Sequence, residues 1–448
     1  SGTPAAQSWS GERPPGGAML PDAFAASGSS SFRATKPSCA RVFPGASFEE
    51  VSSPRTILIR VTGADGPGIT SDLLGLLAQL EADVQDMEQV VVRRQLTLGL
   101  AVVVPAGRDM VKEVLLFGWE RGLDIDFEVV DSTPTRHSER QVVTVLAPEL
   151  GPGDLASTTA AIAASDGNID RITRMSRYPV WSYEFLVEKC DVEKLQASLM
   201  QVAADRHIDI AVQPHGLHRR STRLVVLDVD STLIRNEVID LLAEVAGDGG
   251  RVAELTERAM RGEIDFEDSL RERVALLAGQ PESVIHDAIG RMVLTPGART
   301  FVRTLRRLGY RIAIISGGFT HFTDHLAELL DLDHAHANRL EVEDGVLTGR
   351  LSSEVVDADA KAALLRRIAA AEGVPLEQVV AVGDGANDLP MLQTAGLGIA
   401  FNAKPAVRDA ADTTVNVPYL DAILFMLGVT REEVEAADAQ AAAPAIGA

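Results

Sequence analysis

The sequence predicts an α/β protein: a doubly wound parallel-sheet domain with a helical cap, preceded by two smaller β-α-β-β-α-β units. Three observations carry that expectation. The chain has 448 residues, enough for about three domains of roughly 100–200 residues each. The order strand, helix, strand, strand, helix, strand runs twice through the first half, with a period of about 85 residues. Beyond Arg223 the strands become short and apolar on both faces, as in a sheet covered by helices on both sides.

The N-terminal stretch is rich in Pro, Gly, Ser and Ala and lacks both a basic n-region and an apolar h-region. Residues 1–53 therefore read as a disordered leader rather than a signal peptide. The first unit, residues 54–131, opens with the strand TILIRVT and the turn GADGPG. A helix from Ile69, strands near Val84–Arg93 and Gln95–Val104, a helix over Met110–Arg121 and the strand LDIDFEVV follow. The second, residues 140–214, repeats the order with QVVTVLA, the turn GPG, a helix over Leu155–Ala164, strands around Asn168–Met175 and WSYEFLVE, a helix over Val192–Asp205 and IDIAVQP. Each is a ferredoxin-like split unit. The polar linkers DSTPTRHSER and PHGLHRRST mark the boundaries.

Residues 223–430 hold the parallel sheet, with strands RLVVLDV, RIAIIS and QVVAVGD. About 70 residues separate the first two, far more than an ordinary βα connection uses. Amphipathic helices between Glu237 and Arg291 make this insertion a helical cap, about residues 236–293, over the strand ends. Farther on, His334 and His336 alternate along one strand face, and Asp344-Gly345 sets a hairpin turn. The Ala-rich tail, residues 431–448, is expected not to pack.

Composition narrows function. Lys and Arg total 42 against 64 Asp and Glu, a formal charge of −22, which repels phosphodiester backbones and argues against nucleic-acid binding. No apolar run approaches the ~18 residues a membrane helix needs. Cys39 and Cys190 fit reduced thiols in a cytoplasmic protein rather than a disulfide framework.

Ligand sites of open α/β sheets gather beyond the carboxyl ends of the strands. There the segment VVLDVDSTLI places Asp228 and Asp230 two residues apart, on the same side of an extended chain. Such carboxylates repel unless a cation or a shared proton intervenes; alternatively they cap the next segment. Other strand ends tip the balance toward a cation. VGDGANDLPML brings Asp384, Asn387 and Asp388, oxygen donors suited to Mg²⁺. IISGG brings Ser316, whose hydroxyl and the backbone amides of Gly317 and Gly318 suit phosphate oxygens. Lys361 offers a fixed positive charge.

These four segments, DVDST, ISGG, Lys361 and GDGANDLPM, resemble in order and spacing the motifs of the haloacid dehalogenase-like phosphatases, over about 210 residues. The resemblance implies that Asp228 is the nucleophile and Asp230 the general acid and base, with Ser316, Gly317 and Lys361 holding phosphate. It further implies Mg²⁺ bound by Asp228, Asp384 and the Asp230 backbone carbonyl, with Asp388 supporting that shell or orienting Lys361 and Asn387 contacting substrate or metal water. The cap segments RNEVIDLLAEVAG and AMRGEIDFEDSLRERVALL resemble the substrate-recognition segments of the phosphoserine phosphatases. On that match Glu237 meets the ammonium of O-phospho-L-serine, Arg273 its carboxylate, and Met260 and Phe266 shield the site.

The front units resemble ACT domains, small amino-acid-sensing modules. Asp65, Gly66 and Gly68 of the turn GADGPG would bind an amino acid, the alternative being a structural turn and N-cap. The second copy, PELGPGDL, departs from that pattern. The resemblance implies a homodimer through the ACT domains and feedback by L-serine. Expected overall is a Mg²⁺-dependent phosphoserine phosphatase performing the last step of serine biosynthesis. A phosphotransferase to another amino-acid alcohol and a catalytically inactive serine-sensing regulator are the rival readings.

Overall fold

The computed structural model describes residues 56–103, 109–130, 140–216, 219, 221, 223–260 and 263–442. The expected leader lies outside the described residues. The chain forms two compact units, residues 1–134 and 135–448.

In the first unit, β1 (Thr56–Ala64), α1 (Ile69–Gln79), β2 (Asp83–Val92), β3 (Gln95–Val103), α2 (Met110–Arg121) and β4 (Asp124–Val130) follow the expected order. The sheet is antiparallel, in the order β2-β3-β1-β4. Alternation along β3 sends Leu96, Leu98, Leu100 and Val102 into the core beneath Leu73, Leu77 and Val114 of the helices. The Asp109 side chain caps α2 by accepting from Lys112 N, and Gly122, at φ 65°, ends it. Edge strand β2 is exposed along its whole length, Val90 and Val92 included.

The second unit begins with β5 (Arg140–Ala147), α3 (Pro152–Ala164), β6 (Asn168–Ser176), β7 (Trp181–Glu188), α4 (Val192–Arg206) and β8 (Asp209–Pro214), in the sheet order β6-β7-β5-β8. Helix α3 starts three residues earlier than the sequence suggests. Pro152 occupies its first turn, and Asp154 reaches back to accept from Gly151 N at 2.9 Å.

The six-stranded sheet of the same unit runs β11-β10-β9-β14-β15-β16 and is parallel throughout. Its strands are β9 (Leu224–Leu227), β10 (Arg311–Phe319), β11 (His334–Asn338), β14 (Val379–Gly383), β15 (Leu397–Phe401) and β16 (Thr413–Val415). The chain leaves β9 for β10 on one side and later returns to β14 on the other, so the order reverses between β9 and β14. Ligand crevices open at such a point. Between β9 and β10 stand the cap helices α5 (Val238–Ala246), α6 (Gly249–Met260), α7 (Phe266–Ala275) and α8 (Ser283–Ile289), then α9 (Ala298–Arg307) of the core. The two strands of chain linking cap to core lie side by side, with Arg235 N bonded to Val293 O at 2.8 Å and Thr295 N to Leu233 O at 3.0 Å. α10 (Thr320–Leu330) follows β10, and β12 (Leu340–Glu343) and β13 (Val346–Leu351) form the expected hairpin, with Asp344 and Gly345 both at positive φ. α11 (Ala358–Glu372), α12 (Leu389–Thr394), α13 (Pro405–Arg408) and α14 (Ile423–Met426) complete the layers.

Two findings go beyond the sequence reading. The described part of the tail packs: Arg431–Ala442 forms α15, which buries Val434, while Asp438 bonds Arg303 and Arg307 of α9. An Ala-rich acidic segment packs here because a basic helix face stands opposite. Strand β8 also closes the free flank of β16. Buried Asp209 accepts from Asn416 N at 2.8 Å and Thr414 Oγ1 at 3.0 Å, and Thr413 Oγ1 donates to Ile210 O at 3.3 Å. Leu146, Met175, Val180 and Ala211 of the small domain join one apolar core with the parallel-sheet domain.

Candidate active site

Beyond β9 the chain turns sharply over Val229–Leu233, with Ser231 at φ 55°. Asp228 N bonds Val382 O at 2.8 Å, extending the β9–β14 pairing by one bond and setting Asp228 beside the end of the strand that delivers Asp384. Asp228, Asp384 and Asp388 each bring a carboxylate oxygen within 4.8 Å of the others.

Lys361, in the first turns of α11, is fully buried and donates to Asp228 Oδ1 at 2.5 Å and Asp388 Oδ1 at 2.7 Å. Asp388 is also held by Gly385 N, which donates to its other oxygen at 2.9 Å. Gly383 has to be glycine: a Cβ there would sit 2.5 Å from Asp388 Cγ. Burial alone would push the Lys361 ammonium down, but Asp228 and Asp388 outweigh it and hold it above its ordinary range. Burial, then the charge of Asp388, raises the Asp228 carboxyl against the pull of Lys361. Burial, then Asp388 and Glu237, lifts Asp384 to about 7. With all three carboxylates ionised, the one ammonium leaves two negative charges uncompensated, which matches one divalent cation. The donors are hard oxygens, the kind Mg²⁺ takes. Since Asp388 is spent on Lys361 and Gly385, Asp228 and Asp384 are the side chains with oxygens left to give.

Asp230 is held at both oxygens, accepting from Val238 N at 2.6 Å and from Ser316 Oγ at 2.9 Å. Burial and the charge of Glu237 outweigh these bonds and push its carboxyl up to about 6. Buried Ser316 also accepts from Gly318 N at 2.7 Å, so that amide is already engaged rather than open to a ligand. Gly317 and half-buried Asn387 lie at the same strand ends.

From the cap, Glu237 immediately precedes α5 and accepts from Ser231 Oγ at 2.7 Å. Arg273 lies in the last turn of α7, half-buried, with Nε bonded to Ser269 O at 3.2 Å. Its largest charge partner is Asp240, followed by Glu237 and Asp230, so cap and core charges meet over the site. The Phe266 ring reaches the core loop, since a Cβ on Gly317 would lie 3.2 Å from its Cζ. Met260 ends α6, and its side chain is outside the described residues.

Three supporting residues were given no role in the sequence reading. Thr232 Oγ1 donates to Asp384 Oδ1 at 3.3 Å, Thr295 Oγ1 donates to Thr232 O at 2.7 Å, and buried Asn338 bridges the end of β10 and the segment before α11. A threonine inside DVDST was visible as part of a motif, whereas lone Thr295 and Asn338 carry no spacing signal. In the first unit, Gly68 caps α1 at φ 91° with no side-chain cap bond, Asp65 is exposed with its N bonded to Arg94 O at 2.9 Å, and Gly66 is half-buried.

Three stretches of the chain match known families. Residues 225–393 match the haloacid dehalogenase-like hydrolases, and residues 55–128 and 139–213 each match an ACT domain. The chain is 52% identical over 397 residues to a phosphoserine phosphatase of Streptomyces coelicolor, covering 88% of this chain and 97% of that protein. It is 49% identical to phosphoserine phosphatase SerB2 of Mycobacterium tuberculosis, over 86% of this chain and 96% of the other. Among solved structures, a probable phosphoserine phosphatase from Vibrio cholerae in unliganded form aligns with a TM-score of 0.52 at 36% identity, covering 66% of this chain and 88% of that one.

Proposed function

From the chain's membership of the phosphoserine phosphatases, with a haloacid dehalogenase-like hydrolase domain behind two ACT domains, we propose that it hydrolyses O-phospho-L-serine to L-serine and phosphate through a phosphoryl ester on Asp228. The observation that carries this reading is the buried Asp228–Lys361–Asp388 cluster at the strand switch, set under a cap that presents Glu237 and Arg273.

In the first step an Asp228 oxygen bonds to phosphorus while the bond from phosphorus to the serine oxygen breaks. Asp230, protonated in part at neutral pH by its raised pKa, gives its proton to that leaving oxygen. In the second, Asp230 takes a proton from water as the water oxygen attacks phosphorus, and the Asp228–phosphorus bond breaks. Lys361 and Ser316 hold the phosphoryl oxygens, while Arg273 and Glu237 receive the carboxylate and ammonium of the amino acid. Mg²⁺, held by Asp228, Asp384 and the Asp230 carbonyl, would supply further neutralisation of the phosphoryl charge.

L-Serine is the proposed effector at Asp65, Gly66 and Gly68, in a cytoplasmic homodimer joined through the ACT domains. The bare edge of β2 supports such pairing, because an exposed strand edge is a template for another chain. Among the described residues no helix is long and apolar enough to cross a membrane.

The test is phosphate release from O-phospho-L-serine and a panel of other phosphomonoesters, with and without Mg²⁺, chelator and L-serine. Expected are a preference for phosphoserine, loss with chelator, inhibition by serine that Asp65→Ala relieves, and at least about a thousandfold loss in Asp228→Asn. A flat substrate profile would remove the assigned roles of Glu237 and Arg273, and parental turnover by Asp228→Asn would remove the nucleophile.

A further inference from the structure

Strand β10 does not stay in step with β11. Ile315 pairs with His336, but the next paired residues are Phe319 and Asn338, so four steps on one strand match two on the other. Ser316, Gly317 and Gly318 stand opposite Ala337 alone, two residues more than an even ladder would hold, and form a bulge at the end of the strand. Bulges re-aim side chains beside active sites, and they take backbone groups out of the ladder. A buried carbonyl without a partner is costly.

The Asn338 side chain supplies the missing partner. It is fully buried at the end of β11 and donates from Nδ2 to Gly317 O at 2.7 Å. Its Oδ1 accepts from Val356 N, also at 2.7 Å. The amide orientation is fixed by its neighbours, since the reverse would set oxygen against oxygen and N–H against N–H. Val356 immediately precedes Asp357, whose side chain caps α11 by accepting from Ala360 N, and Lys361 is the next residue. One buried amide therefore ties the bulge that carries Ser316 to the start of the helix that carries Lys361.

We infer that Asn338 is a positioning residue of the phosphoryl-transfer site, setting the separation of Ser316 and Lys361 by bridging Gly317 O and Val356 N. The inference rests on the roles given above to Ser316 and Lys361. Asn338 itself touches neither substrate nor the reacting atoms. Displacing catalytic groups by a fraction of an ångström slows chemistry more than it weakens recognition of the amino-acid part, which belongs to the cap.

The test compares parent, Asn338→Ala and Asn338→Asp on O-phospho-L-serine and on p-nitrophenyl phosphate, an ester without ammonium or carboxylate. Assays run well below each protein's melting temperature. Expected is a kcat lower by roughly 10- to 100-fold on both esters, with KM for phosphoserine within about threefold of the parent and weaker inhibition by inorganic phosphate. Should Asn338→Ala fail to fold, Asn338→Asp is read instead, as it keeps the acceptor for Val356 N. Parental kcat in a folded variant, or a loss confined to the KM for phosphoserine, would overturn the inference. If the parent cleaves p-nitrophenyl phosphate but not phosphoserine, the proposed substrate falls, and the Asn338 comparison is decided on the remaining ester.

Discussion

At the scale of single residues, the charge balance of the buried cluster governs how the protein answers to pH. Asp230 is raised to about 6 and Asp384 to about 7, both first by burial, from an ordinary 3.8. A carboxyl raised on folding binds its proton more tightly in the folded chain. Its stabilising contribution is complete below the unfolded value and is lost as pH rises through the folded one. In cation-free protein these two groups should therefore lower the melting temperature progressively between about pH 4 and pH 7. A divalent cation favours the ionised carboxylates, so added Mg²⁺ should raise the melting temperature more at pH 8 than at pH 5.5. Equal shifts at the two pH values in a thermal melt would contradict the assignment. The acidic residues of this cluster were legible in the sequence because each follows a short apolar strand. Asn338 and Thr295 were not, because their value lies in which backbone group they meet across 21 and 63 residues of chain.

At the scale of elements, periodicity located the helices and strands of the two front units and the first strands of the parallel sheet, but not β15, β16 or the short helices beside them, and element ends depended on local chemistry. The start of α3 was misplaced because Gly151, Pro152 and Asp154 act together as a cap, although GPG alone reads as a turn. The tail was misjudged for a different reason: α15 gains its place from Val434 and from Asp438 facing Arg303 and Arg307, a tertiary pairing that no local pattern announces. Helix α11 offers a direct trial of the link between capping and catalysis. Asp357→Ala removes its N-cap and should destabilise the fold by about 1 kcal/mol. Lys361 lies four residues on, so a fall in kcat should accompany the loss, measured by denaturant unfolding beside steady-state kinetics. A variant with the full stability loss and parental kcat would show that Lys361 is held by Asp228 and Asp388 alone.

At the scale of the whole molecule, the repeated unit and the parallel sheet were both visible as patterns, but the different settings of the two copies were not. Asp209 reads in the sequence as an ordinary polar residue at a strand start, yet it is buried and fastens β8 to the segment around β16. The second copy is thereby continuous with the parallel-sheet domain through a shared core, whereas the first forms a compact unit of its own. A protein starting at residue 135 should accordingly keep a cooperative melt and its phosphatase activity. Removal of the stretch up to residue 222 should lower the melting temperature and produce soluble aggregates on size-exclusion chromatography. A monodisperse, equally stable short form would refute this division.

That join bears on how such an enzyme can be trimmed or recombined. The seam between β8 and β16 behaves as a weatherproofed wall: whoever swaps the second ACT domain for another module must bring along a replacement panel for the exposed flank, or the hydrolase will look for one among its neighbours.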